Sequence, residues 1–164
     1  FETIITSVVF AYTAIEAFAN ICIPNNYIYS CLDKEGNTKN MNKEEIERYC
    51  SLTEKLKSIL PEILNCDKPT TKSLVWQRFI ELEKLRNEII HSKESKSEDR
   101  YSFLLSSSLF QIIENHKEII KFFGAAIHTQ KRELLDEYPN GFGFDSYRVN
   151  KVSDERFNKS SEIL

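Results

Sequence analysis

Apolar residues recur every three to four positions along most of the chain, which is the spacing of one buried helical face. This pattern predicts four main helices, over residues 2–23, 42–60, 71–91 and 100–127. Pro24 should stop the first helix, and Pro61 should end or kink the second. Asn42 and Glu45 have the spacing of a capping box, which predicts the start of the second helix. Its alternating lysines and glutamates predict a solvated face.

The segments between and after these helices are polar or aromatic. Residues 33–37, inside the stretch 27–40, combine charged residues with Gly36 and predict a solvated turn. Aromatic residues recur over 138–144 and should lie across the helices as a strap, whereas the last dozen residues should fray. We therefore predict an all-α fold: an up-and-down helical bundle of four main helices over residues 1–137, plus a C-terminal extension over 138–164.

Composition limits the possible functions. The 164 residues suit one domain, and a net charge of −3 excludes a broad basic coat, so any nucleic-acid contact should be local. The cysteines form no CxxC pair, which predicts reduced cytosolic thiols and no structural zinc. The uncharged run 3–15 is shorter than the ~20 residues that cross a bilayer, which favours a core helix, a cytoplasmic location and no membrane partner. Because the chain begins at Phe1, we expect it to lack its native start.

Two helices carry one charge each on an otherwise apolar stripe. The stripe of the first helix is Ile5, Val8, Tyr12, Glu16, Ala19 and Ile23, and that of the third is Val75, Phe79, Leu82, Arg86 and Ile89. Opposite charges on two packing faces predict an ion pair between Glu16 and Arg86, since a desolvated guanidinium needs an anion. One interpretation is that this pair is only a structural bridge.

The neighbours of Arg86 favour a functional interpretation. Asn87 and His91 lie one turn apart on the same face, at the predicted end of the third helix. The long side chain of Arg86 can swing towards that end. A guanidinium, an amide and an imidazole can then converge on one point, and an imidazole can take or release a proton near neutral pH. This combination is suited to phosphate chemistry.

Arg86-Asn87 followed after three residues by His91 resembles the signature of the HEPN superfamily (higher eukaryotes and prokaryotes nucleotide-binding). Residues 12–18 are similar to the first helix of that family, and residues 76–85 to the approach to its motif. The resemblance covers roughly residues 1–127. It implies a helical bundle that dimerises through the helices carrying Glu16 and His91, so that two copies of the motif share one cleft.

The resemblance also implies an activity, namely metal-independent endoribonuclease cleavage of RNA to a 2′,3′-cyclic phosphate in a bacterial toxin–antitoxin or phage-defence setting. His91 would be the acid or base, Arg86 would steady the phosphate charge, and Asn87 would hold His91 or the phosphate. Glu16 would lock Arg86. Lys93 could contact phosphate, at a position where some nuclease members carry tyrosine. No metal or cofactor is implied; the partners are RNA, a second copy, and a cognate antitoxin or defence-system protein.

Two alternatives remain open from the sequence. The chain could be a non-catalytic HEPN module that binds a partner protein or a nucleotide, or a purely structural helical dimerisation domain. His116 and His128 lie twelve residues apart without clustered carboxylates or thiols, so metal binding there is not expected. Trp76, Phe122 and Phe123 are interpreted as core residues rather than as a platform for base stacking.

Overall fold

The computed structural model describes residues 2–32, 35–91 and 108–129. Within these ranges the chain is mostly helical and contains one two-stranded antiparallel sheet, which confirms the predicted helical class. The elements are α1 (Glu2–Ile21), β1 (Tyr29–Leu32), β2 (Thr38–Met41), α2 (Lys43–Tyr49), α3 (Leu52–Glu54), a π-helical segment (Lys55–Ile59), α4 (Leu60–Leu64), α5 (Leu74–Ile90) and α6 (Leu109–Thr129). Lys93, the start of the predicted fourth helix, the strap and the 137/138 boundary lie outside the described residues.

A β-hairpin follows α1, where the sequence pattern predicts only a turn. β1 and β2 pair in the register Tyr29 to Met41 and Leu32 to Thr38. Gly36 has a φ of 84° between the strands, a conformation that residues with a Cβ rarely adopt. The hairpin was missed because its strands hold four residues each, too few for a clear alternation of apolar and polar side chains.

The second predicted helix is divided into two. The capping box is confirmed: Asn42 Oδ1 accepts from the backbone N–H of Glu45, and the Glu45 carboxylate accepts from that of Asn42, both at 3.0 Å. The prediction of one continuous helix to residue 60 is wrong, because Cys50 is extended and Ser51 caps a new helix. The Ser51 hydroxyl accepts from the N–H of Glu54 at 3.1 Å.

Pro61 does not end the helix, which excludes the first of the two outcomes predicted for it, an end or a kink. The chain widens into the π-helical segment just before it, where the N–H of Leu60 donates to the carbonyl of Lys55, five residues back. In a regular α-helix the ring of Pro61 would clash with the carbonyl of Lys57, four residues earlier. That carbonyl lies inside the wider π-helical turn. α4 therefore continues to Leu64 and ends at Asn65, which has a φ of 44°.

The core lies between α1, α5, α6 and the α3–α4 segment. α5 and α6 are joined by Asn115, whose side-chain Nδ2 donates to the carbonyl of Val75 at 2.9 Å. The predicted apolar stripes of the first and third helices are confirmed, since most of their apolar members are buried: Val8, Tyr12, Ala19, Ile23, Phe79 and Leu82. Trp76 and Phe123 are also buried, as predicted for core residues, whereas Phe122 is half-exposed.

By length and composition alone, α1 could cross a membrane, and it is the one helix in the described ranges that meets this test. Core helices of soluble proteins meet it as well. Val8, Ile15 and Phe18 of α1 are fully buried in the core, and 33% of the apolar window is buried in all. The cytoplasmic location and the lack of a membrane partner stay predictions.

The capping box provides a first testable prediction. Replacing Asn42 with alanine should lower the free energy of unfolding by about 1 kcal/mol, because the first turn of α2 loses a side-chain acceptor. Urea unfolding measures the change. Asn25→Ala, at an exposed turn position, is the matched control and should leave stability nearly unaltered. Equal stability of the two variants would contradict the role of the cap.

Candidate functional site

His91 lies at the carboxyl end of α5, as the sequence predicts. The helix starts at Ser73, whose hydroxyl accepts from the N–H of Trp76 at 3.2 Å, and ends where the N–H of His91 donates to the carbonyl of Asn87 at 2.9 Å. His91 has left the helical conformation, with φ −107° and ψ 39°. Its side chain is exposed. The imidazole is therefore accessible to a large substrate.

Arg86 and Asn87 are brought together next to this helix end. Arg86 Nη1 donates to Asn87 Oδ1 at 3.0 Å. The guanidinium carbon lies 5.0 Å from the centre of the Tyr12 ring on α1, which is within cation–π distance. Among the described residues, the Arg86 side chain thus contacts an amide oxygen and an aromatic face, and both are uncharged.

The predicted ion pair between Glu16 and Arg86 is not formed. The salt bridges between described residues join Lys43 to Glu47, Lys117 to Glu114, and Lys121 to Glu118. Tyr12 stands one turn before Glu16 on α1, and its ring receives the guanidinium instead. A guanidinium is weakly hydrated and stacks readily on aromatic rings. Glu16 itself is part-exposed. The role of Glu16 as a direct lock on Arg86 is corrected accordingly.

Glu83 is the acidic residue of this site that the sequence analysis missed. It lies on α5 one turn before Arg86, and its carboxylate accepts hydrogen bonds from two hydroxyl groups. Tyr12 Oη donates to Glu83 Oε1 at 3.3 Å, and Thr53 Oγ1 donates to Glu83 Oε2 at 3.2 Å. The three-residue spacing from Arg86 was the available signal, because residues so spaced are neighbours on a helix.

The phenol of Tyr12 is held in its protonated form. Burial raises the pKa of Tyr12 most, and the negative charges of Glu83 and Glu16 raise it further, while the positive charge of Arg86 lowers it. The resulting pKa lies well above the ordinary tyrosine range. The hydroxyl therefore remains a hydrogen-bond donor to Glu83 at physiological pH.

The other candidate sites either form local hydrogen bonds or lie far from His91. His116 Nδ1 lies 2.6 Å from the carbonyl of Ile113 on the same helix, so this histidine hydrogen-bonds locally. The described residues gather no group of three or more metal-ligand side chains. A cavity of about 350 Å³, lined by Trp76, Ile119 and Phe122 among others, lies near the opposite end of α5. At 1.5 Å per residue, Trp76 is about 22 Å along the helix from His91.

Comparison of the chain with protein-family models, with curated proteins and with solved structures finds no match.

Proposed function

We propose that this chain is a HEPN-type, metal-independent endoribonuclease acting in a toxin–antitoxin or phage-defence setting. The proposal includes a four-helix up-and-down bundle with a C-terminal strap and a homodimer in which two motifs share a cleft. The observation that carries it is the charge environment of Arg86. Within the described ranges no carboxylate forms a salt bridge with this guanidinium, which lies beside Asn87 and close in sequence to the exposed His91.

An arginine whose contacts are uncharged groups can still pair its positive charge with an anionic ligand. Asn87 takes one of the five N–H donors of Arg86, and the Tyr12 ring takes none. The remaining donors can form paired hydrogen bonds to two oxygens of a phosphate group. A Glu16–Arg86 salt bridge would have neutralised this charge. The absence of that bridge supports anion binding better than the predicted pair would have done.

The proposed reaction is transesterification within RNA. His91 of one copy removes the proton from a ribose 2′-hydroxyl, and the 2′-oxygen attacks the adjacent phosphorus. The bond from phosphorus to the 5′-oxygen breaks, and His91 of the second copy protonates that oxygen. The products are a 2′,3′-cyclic phosphate and a 5′-hydroxyl. Arg86 stabilises the charge that develops on the phosphate oxygens, Asn87 orients the phosphate or Arg86, and Lys93 is a further proposed phosphate contact.

Product chemistry tests this proposal. The purified chain should cut single-stranded RNA in the presence of EDTA and leave 2′,3′-cyclic phosphate ends, detected by mass spectrometry. The same oligonucleotide with 2′-deoxyribose throughout should stay intact, because it lacks the nucleophile. Cleavage of both substrates, or cleavage only with a divalent metal, would overturn the proposed mechanism.

The charge of Arg86, which no described carboxylate pairs, also favours a second candidate, a non-catalytic module that binds a nucleotide phosphate. In that case a nucleoside triphosphate should raise the melting temperature by mass action, and no RNA should be cut. Arg86→Gln should abolish the increase, since it removes the charge and retains a polar side chain. RNA cleavage by the wild type would rule against this candidate.

A further inference from the structure

The hydroxyl groups around Glu83 form a chain of contacts that ends at Arg86. Thr53, just after the start of α3, donates to the Glu83 carboxylate, and Tyr12 of α1 donates to the same carboxylate. The Tyr12 ring then lies against the Arg86 guanidinium. Three separate helices, α1, α3 and α5, therefore meet in one network. None of its links is a salt bridge.

The ring of Tyr12 is fixed at both of its ends. It is 8% exposed, so the surrounding core restricts its rotation, and its hydroxyl is tied to Glu83. A fixed ring provides a fixed surface for the guanidinium. An arginine side chain on a helix surface otherwise samples many rotamers, and a phosphate site needs it in one.

The engagement of Glu83 by two hydroxyls has an electrostatic consequence. This carboxylate lies one turn from Arg86 on the same helix, a spacing at which opposite charges commonly pair. Its oxygens instead accept hydrogen bonds from Tyr12 and Thr53, and no salt bridge joins it to Arg86 in the described part of the chain. The network therefore holds the acidic group in place and leaves the guanidinium charge available.

We propose that Tyr12 is a positioning residue, held by Glu83 and Thr53, that fixes Arg86 for phosphate binding. Its catalytic consequence rests on the proposed function. The aromatic face performs the positioning. The hydroxyl restrains the ring and engages Glu83, a carboxylate to which the Thr53 hydroxyl also donates. Removing the hydroxyl should therefore have a small effect, whereas removing the ring should free Arg86.

The position of Arg86 can be measured without any activity. In wild type, the side-chain resonances of Arg86 should show an upfield ring-current shift by NMR. The shift should persist in Tyr12→Phe and disappear in Tyr12→Leu. Tyr49→Leu is the matched control, because the Tyr49 ring also lies under an arginine, Arg48, at 5.4 Å. It should shift the resonances of Arg48 and leave those of Arg86 unaltered.

Steady-state kinetics provide the second measurement. Tyr12→Phe should retain kcat within about threefold, whereas Tyr12→Leu should lower kcat by about 10- to 100-fold with KM nearly unchanged, because a misplaced group costs transition-state stabilisation. An unshifted Arg86 in wild type, which needs no variant to fold, would overturn the proposal, as would full kcat in Tyr12→Leu. A ring-shifted Arg86 in a wild type that does not cut RNA would support the positioning and count against the ribonuclease.

Discussion

Replacing His91 with alanine should lower RNA cleavage by about 10²- to 10⁴-fold, the usual contribution of one acid–base side chain. The reason is chemical rather than structural. His91 is exposed at the end of α5, and alanine keeps the backbone N–H that donates to the Asn87 carbonyl. The free energy of unfolding should change by no more than about 0.5 kcal/mol, as for other exposed substitutions. Initial rates in EDTA, with thermal unfolding followed by circular dichroism, measure both effects.

His116→Ala is the matched control for this loss. That histidine is part-buried on α6 and hydrogen-bonds to the carbonyl of Ile113 on its own helix, so its removal should leave cleavage near the wild-type rate. Wild-type cleavage by His91→Ala would remove His91 from the mechanism. The cellular role has its own test: induced wild type should slow growth, and induced His91→Ala should not. Equal slowing by both proteins would contradict a toxin that acts by cutting RNA.

The position of the candidate residues at the end of α5 was predictable because the sequence signals for it are local. The apolar stripe of α5 identifies Arg86 as an exception, and the polar run after residue 91 indicates where the helix ends. Capping is equally local, which is why Asn42 was identified correctly. Each of these inferences uses residues fewer than five positions apart on one helix, where sequence spacing directly determines which side chains are neighbours.

The partners of Arg86 were not predictable in the same way. Sequence periodicity indicated that two faces would meet, but it did not decide whether the guanidinium would contact Glu16 or the ring of Tyr12. Those residues are one turn apart on the same stripe. Thr53 reaches Glu83 only because the chain restarts a helix at Ser51. That restart brings together residues thirty positions apart, a separation that helical spacing does not address.

Lys55, which lies outside the candidate site, is buried although the sequence predicts that it is exposed. The pattern of lysines and glutamates predicts a solvated face, but the Lys55 side chain is 0% exposed. Its Nζ donates to Asn20 Oδ1 at 2.9 Å and to the carbonyl of Glu47 at 3.1 Å. It is also the first residue of the π-helical segment. The lysine thus connects α1, α2 and the π turn through one buried ammonium group.

Lys55→Met should lower the free energy of unfolding by about 2–4 kcal/mol. Methionine fills a similar volume, but two part-buried acceptors lose their charged donor, at about 1–2 kcal/mol each. Urea unfolding at pH 7 measures the loss. Lys57→Met is the matched control two residues further on, where the ammonium is part-exposed over the Trp76 ring at 5.0 Å. It should cost less than about 1 kcal/mol.

The cost of Lys55→Met should also depend on pH, with a sign that follows from the pKa. Burial lowers the pKa of Lys55 below its ordinary value of 10.5, although the charges of Glu16, Cys50 and Glu47 oppose this. Between the lowered value and 10.5 the unfolded chain binds more protons than the folded chain at this residue. The contribution of Lys55 to stability therefore rises with pH in that window.

The stability difference between wild type and Lys55→Met should consequently widen as the pH approaches 10.5. Burial raises the pKa of Cys22 from 9.0 to about 12, which lowers stability above pH 9, because the thiol ionises in the unfolded chain first. This loss occurs in both proteins and cancels in their difference. Urea unfolding of the pair at intervals from pH 7 to the alkaline limit measures the titration of Lys55 together with that of Cys50, the thiol whose pKa the Lys55 charge lowers. A constant difference would mean that the pKa of Lys55 is the same in the folded and the unfolded chain, and a narrowing difference would mean that folding raises it. Either result would contradict the lowered pKa of Lys55.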